Sequence, residues 1–181
     1  MVLRYQIVRL FFARHPLAAN VAAYGALSVG AEFTQQTIIR RWDGDMKGEP
    51  YDWILLGRYA VYSMILAGPG LFYWFRWLDS RFVGTTFPVV IRKAATDQLI
   101  SSTSCTVVFY ISMSVMEKKE DIFAELRQKF WPTYKVSCCF WPPIQCLNFF
   151  LVPPHFRVVT VAVASFVWCN FLCILKRAVH F

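Results

Sequence analysis

The chain has 181 residues, of which 57% are hydrophobic, 18% aromatic and 17% charged, with a net charge of +8. Soluble domains carry about 45–50% apolar and about 25% charged residues, so this composition excludes an ordinary soluble domain and indicates an all-α, multi-span membrane helix bundle. The Lys and Arg residues are scattered between apolar runs rather than gathered on one stripe, which argues against nucleic-acid contact and for basic loops flanking spans.

Residues 1–31 carry Arg4, Arg9 and Arg14 and no acid. We expect an uncleaved amphipathic lead-in over 1–15, with a processed import segment as the alternative. A first span is expected over 17–39, opened by Pro16, because Pro is tolerated at a helix start. Small residues recur there every fourth position, at Ala18, Ala22, Ala26 and Gly30, a stripe that would let a second helix approach. Glu32 and Gln36 lie inside this span. Residues 40–52 are charged enough to form a loop. A second span is expected over 53–75, with Gly68-Pro69-Gly70 breaking or kinking it near its far end. The third, over 93–116, carries Lys93, Asp97 and Gln98; Lys93 and Asp97 are one turn apart and suit an ion pair. Asp97, Ser101, Ser104 and Ser112 follow the helical period. They face either the bundle interior or carbonyls of their own helix. A surface helix is expected over 118–131, ended by Trp131-Pro132, and a fourth span over 155–175. Trp42, Trp53, Trp74, Trp77 and Trp131 lie beside charges at the ends of apolar runs, where amphipathic rings favour the headgroup layer.

Between the surface helix and the last span, residues 136–154 form a proline-broken, membrane-embedded segment. No charge occurs between Lys135 and Arg157. Gln145 and Asn148, three apart, share a face if the segment is helical. The fixed pattern Trp141-Pro142, Gln145, Asn148-Phe149, Val152-Pro153, Arg157 resembles the signature of the peroxisomal membrane protein 22 kDa family, which also contains mitochondrial members such as the Mpv-seventeen protein. Gly68-Pro69, Trp74-Phe75 and Leu78-Asp79 match a second block of that family, and Asp97-Gln98 a third. Where the family carries His and Tyr, this chain has Phe72 and Phe75, and Thr103 stands in place of a family Pro. Gly68, Pro69, Trp74, Leu78, Asp79, Trp141, Pro142, Phe149, Val152 and Pro153 are thereby expected to be structural. Arg157 is expected to anchor at the interface or to pair with Glu32 or Asp97.

No nucleotide loop, nucleophile elbow or paired-Gly fingerprint is present. The six Cys include no C-x-x-C pair and His15, His155 and His180 are far apart, so no metal, no cofactor and no catalytic residue is expected. Ionisable and amide side chains inside a membrane are functional candidates. Here they are Glu32, Gln36, Lys93, Asp97, Gln98, Gln145, Asn148 and Arg157. The resemblance implies a pore or channel for small solutes with a role in mitochondrial homeostasis; a structural or assembly protein without transport is the alternative. Expected partners are the lipid bilayer, small solutes and, as an open option, a second copy of the chain. The acid-free N-terminal stretch favours the mitochondrial inner membrane, with the peroxisomal membrane as the alternative.

Overall fold

Five helices account for nearly all of the computed structural model, which describes residues 14–42 and 49–178, with side chains to Asn170. They are α1 (Pro16–Trp42), α2 (Trp53–Arg81), α3 (Phe87–Met116), α4 (Ala124–Leu151) and α5 (Arg157–Ala178). No strand occurs among the described residues. The expected lead-in over 1–15 lies outside them, apart from its last two residues. Four spans were expected; among the described residues two helices, α2 and α3, are long and apolar enough to cross a membrane. Asn20 and Glu32, both buried in α1, dilute its apolar run.

The described residues divide into two compact units, those up to Gly68 with those from Val159 on, and residues 69–158. In the first, α1 packs on the N-terminal half of α2. Asp52 caps α2, its carboxylate accepting from Leu55 N–H at 2.8 Å. The Gln36 amide clasps the Asp52 backbone, donating to its carbonyl at 3.3 Å and accepting from its N–H at 2.9 Å. Tyr51 stacks on Phe33 at 4.8 Å, and the Arg40 guanidinium covers its ring at 3.9 Å. Most of the expected small-residue stripe is not the packing face: Ala18, Ala22 and Ala26 are exposed and only Gly30 is half-buried, beside Phe166, whereas Ala19, Tyr24, Gly25 and Ala31 are buried. The contact face is therefore set one position away, where Gly25 lies against Met64.

Pro69 does not break α2. The helix runs through it, and a wider π turn at Tyr62–Ala67 absorbs the disturbance, with Gly68 N–H reaching back to Ser63 O. A π turn accommodates one extra residue per turn. Gly68 is required there, because an added Cβ would lie 2.9 Å from Ser63 O and 3.3 Å from Val21 Cα. Nor do Pro132, Pro142 and Pro143 end α4: the expected surface helix over 118–131 and broken segment over 136–154 are one 28-residue helix from Ala124 to Leu151. Proline φ is itself helical, so each Pro costs one donor and a local clash, and neighbouring helices hold the rod together. The chain turns only at Val152-Pro153, where Val152 is extended (ψ 126°), before a short 3-10 turn leads into α5.

In the second unit, α2, α3 and α4 meet around Leu71, Phe75, Leu78, Val90, Ala94 and Phe149, all buried. Gly84 takes a left-handed φ of 102° in the turn joining α2 to α3, a conformation that glycine adopts without strain. A second π turn, Asp97–Ser102, interrupts α3 although Thr103 replaces the family's proline.

Candidate functional site

The candidate site lies within the second unit, on the facing sides of α2, α3 and α4. It starts from the end of α2. One turn after the stacked pair Trp74 and Trp77, Asp79 points inward beside the fully buried Leu78. Its carboxylate receives Lys93 Nζ at 2.7 Å from α3, and Arg157 Nη1, at the start of α5, contacts both of its oxygens. Both cations are buried, at 2% and 3% exposure, while the Asp79 side chain keeps 25%. Arg157 is fixed further by donating from Nε to Val152 O at 3.2 Å, which ties it to the proline turn ending α4. Lys93 Nζ also lies 3.5 Å from Gly84 O.

Phe149 forms the floor of this cluster. Its ring centroid lies 5.9 Å from Lys93 Nζ and 5.3 Å from Arg157 Cζ, and Phe75 meets it edge-on at 5.7 Å. Aromatic faces attract cations through the ring quadrupole. Phe75 occupies the position where the family carries Tyr, and here it serves this ring contact.

One turn further along α3 lies Asp97, 3% exposed. Trp74 Nε1 donates to Oδ1 and Gln145 Nε2 to Oδ2, both at 2.7 Å, and Asn148 Nδ2 donates onward to Gln145 Oε1 at 3.0 Å. No ion pair of Asp97 occurs among the described residues. One carboxylate thus faces two cations, and one turn away another faces none. Asn148 Oδ1 and Gln98 Oε1 are buried without a hydrogen-bond partner. Gln98 instead donates from Nε2 to Ser137 Oγ at 3.2 Å and to Cys138 Sγ at 3.3 Å. Further along, Tyr110 and Thr133 hydroxyls meet at 3.0 Å. The π turn at Asp97–Ser102 lets Asp97, Gln98 and Ser101 all turn inward, a wider polar face than a regular helix presents.

Of the eight polar residues expected to matter, six converge here: Lys93, Asp97, Gln98, Gln145, Asn148 and Arg157. Glu32 and Gln36 belong to the first unit, where Gln36 Nε2 donates to Glu32 Oε1 at 3.1 Å. Two pairings differ from expectation. Lys93 pairs with Asp79 rather than Asp97, because helical side chains lean towards the helix N-terminus. Arg157 also takes Asp79, in place of Glu32 or Asp97. The Ser stripe divides: Ser101 is buried, Ser104 is exposed, and Ser112 donates to Phe109 O of its own helix at 3.0 Å. Asp79 and Trp74 were assigned to the motif, not to the polar network; the signal available was an acid and an indole N–H at the end of an apolar run. No group of three or more potential metal-ligating His, Cys, Asp or Glu side chains occurs among the described residues.

Residues 114–173 match the Mpv17 / PMP22 family. A "Mpv17-like protein" of Xenopus laevis is 32% identical over 172 residues, covering 95% of this chain and 82% of that protein. The chain belongs to the Mpv17/PMP22 family. "Protein sym1" of Aspergillus oryzae is 31% identical over 86% of this chain and 88% of its own length. "Peroxisomal membrane protein 2" of Bos taurus is 25% identical, covering 90% and 84%. No solved structure matches the chain. The Mpv17/PMP22 signature thereby gains a physical meaning in this chain. Its residues form two adjoining buried clusters, Asp79 with Arg157 over Phe149 and Asp97 with Gln145 and Asn148; Val152 supplies the carbonyl that holds Arg157, and Trp74 supplies a donor to Asp97. With membrane-length helices and this membership, the chain is a membrane protein.

Proposed function

We propose that this Mpv17/PMP22 protein forms a pathway for small solutes across an organelle membrane, with no enzymatic step, and that the polar seam between α2, α3 and α4 borders that pathway. The observation that carries the reading is Asp97: a buried carboxylate without a cation partner, on a helix apolar enough to cross a membrane. Ionisable groups at such depth are costly and belong to bundle interiors or water-filled paths. Gln98, Ser101 and the Tyr110–Thr133 pair continue the polar side of α3 in the same direction. The test is recording from purified protein in planar bilayers, with Asp97→Asn beside wild type. Conductance above the bare bilayer, altered by Asp97→Asn, supports the pathway; no conductance refutes it.

A second reading, a structural or assembly protein, is favoured by the hydrogen bonds that tie α2 and α4 to Asp97. Trp74 and Gln145 donate to Asp97 and Asn148 donates to Gln145, as interhelical hydrogen bonds do when they hold helices together, each worth about 0.6 kcal/mol on average in a membrane. On that reading Gln145→Leu lowers stability and leaves solute flux unchanged.

For location, the named relatives support a mitochondrial or a peroxisomal membrane. The inner mitochondrial membrane is our proposal, resting on the Arg-bearing, acid-free first 31 residues. Imaging of tagged protein against matrix and peroxisome markers decides between the two.

A further inference from the structure

Lys93 bears one ammonium between two acidic residues, Asp79 on α2 and Asp97 four residues on in its own helix. It bonds to Asp79 at 2.7 Å. Asp97 lies one turn further along the same helix, its N–H shared between Lys93 O and Ala94 O. Residues four apart on a helix are surface neighbours, their Cβ atoms about 5–6 Å apart. Lys93 and Asp97 are both buried, so they share the inward face of α3. Asp79 would not be stranded if Lys93 left, because Arg157 contacts both of its oxygens. Asp97, in contrast, has an indole N–H and an amide but no cation.

We propose that Lys93 exchanges between two positions: one on Asp79, as in the structure, and one on Asp97. In the first, two cations share a carboxylate while a second carboxylate stands alone one turn away. In the second, each carboxylate holds one cation, Asp79 with Arg157 and Asp97 with Lys93. A low-dielectric interior favours one-to-one pairing, since a buried charge without a partner is costly. Three features hold the first position. Helical side chains lean towards the N-terminus, here towards Gly84 and Asp79. A cation four residues before an acid is the weaker order for a helical pair. Trp74 and Gln145 already occupy the Asp97 oxygens.

The exchange has a mechanical consequence. In the first position Lys93 reaches the turn between α2 and α3 at Gly84 O. In the second it lets that turn go and competes with Trp74 and Gln145, the donors by which α2 and α4 hold Asp97. The turn at one end of the unit and the seam in its interior are thereby linked through a single side chain. This holds whether or not the seam conducts anything, so the experiments below stand apart from bilayer recording.

The first experiment is a double-mutant cycle of Asp79→Asn and Asp97→Asn on full-length protein in lipid nanodiscs, read as the thermal midpoint. Either single variant leaves Lys93 a carboxylate. The double variant leaves none, so its midpoint falls by more than the sum of the two single drops, and the excess disappears in a Lys93→Met background. Additive drops in both backgrounds overturn the proposal. The second needs only one substitution. Asp97→Asn removes the second position, so amide exchange at residues 82–86 slows severalfold relative to amides at 123–127. Exchange at 82–86 that stays the same or quickens on that scale overturns the proposal as well.

Discussion

Asp79, Lys93 and Arg157 form a cluster in which the charges are unequal, and this makes the order of mutational damage predictable. Removing either cation leaves a one-to-one pair. Removing the carboxylate leaves Arg157 buried without a counter-charge, whatever Lys93 does. Breaking a buried ion pair by deleting one partner costs about 3–5 kcal/mol. The 25% exposure of the Asp79 side chain places Asp79→Asn at the lower end, about 3 kcal/mol. Arg157→Gln removes charge-assisted hydrogen bonds, worth about 1.5–3 kcal/mol, but leaves Asp79 with Lys93, so about 2 kcal/mol is expected. The double variant Asp79→Asn/Arg157→Gln leaves one buried ammonium that has Asp97 nearby, and should be no less stable than Asp79→Asn alone. The assay is reversible unfolding in mixed micelles with increasing SDS, followed by far-ultraviolet circular dichroism. If bonds rather than charges set the cost, Arg157 is the worst residue to lose, since it touches both Asp79 oxygens and the Val152 carbonyl. Arg157→Gln costing as much as Asp79→Asn would refute the charge argument.

Three further predictions follow from packing, hydrogen bonding and titration. Gly68→Ala forces backbone apart at Ser63 O and Val21 Cα and should cost about 1–3 kcal/mol, the usual range for overpacking. Gly25→Ala meets only the flexible Met64 side chain and should cost less, and Gly70→Ala, with nothing within 4 Å, should leave the unfolding midpoint unlowered or raise it slightly, since Ala is the better helix former. Gln145→Leu strands Asp97 Oδ2 and Asn148 Nδ2 together, whereas Asn148→Leu strands one Gln145 oxygen and removes an orphaned one. The first should cost at least 1 kcal/mol more than the second, about the penalty of one additional buried unsatisfied group, in the same SDS titration. At the start of α4, hydrogen bonds from Lys129 and then Lys119 hold the Glu125 carboxyl below its ordinary range, and the Phe123 N–H with Arg127 does the same for Asp121. A depressed carboxylate adds stability above its unfolded pKa and loses it as pH falls through the folded one. Protection from hydrogen exchange at 123–127, taken relative to the intrinsic rate at each pH, should therefore fall below the ordinary carboxylate range while protection inside α3 stays unchanged. An equal loss of protection in both would contradict this.

The apolar runs and their flanking charges made the helices legible, because burial in lipid demands long uncharged segments. Polar side chains inside those runs were legible for the same reason, and six of eight lie in the second unit on α3, α4 and the start of α5. Their partners were not. Periodicity sees neighbours three and four positions away, so it suggested Lys93–Asp97; the bonded partner Asp79 lies 14 residues back, and Arg157 joins it from 78 residues further on. Prolines were read as breaks because the loss of a donor is a local fact, whereas continuity of α4 depends on what packs around it. The stripe at Ala18, Ala22 and Ala26 shows the reverse error. Its spacing is right for close approach, but Ala is also the best helix former, and the buried face runs through Ala19 and Gly25 instead.

The π turn at Asp97–Ser102 carries one residue more than a regular helix needs for the same advance. That surplus makes α3 tolerant of a change in length. Leu99 and Ile100 sit on its outer side, 68% and 48% exposed. Deleting one of them should collapse the wide turn into an ordinary one, leaving Lys93 upstream and Thr106 downstream in their present phase. A membrane helix is usually intolerant of a single-residue deletion, because every side chain beyond it rotates by about 100°. Here the chain holds a spare position, at the place where a homologous helix could be one residue shorter without losing its alignment.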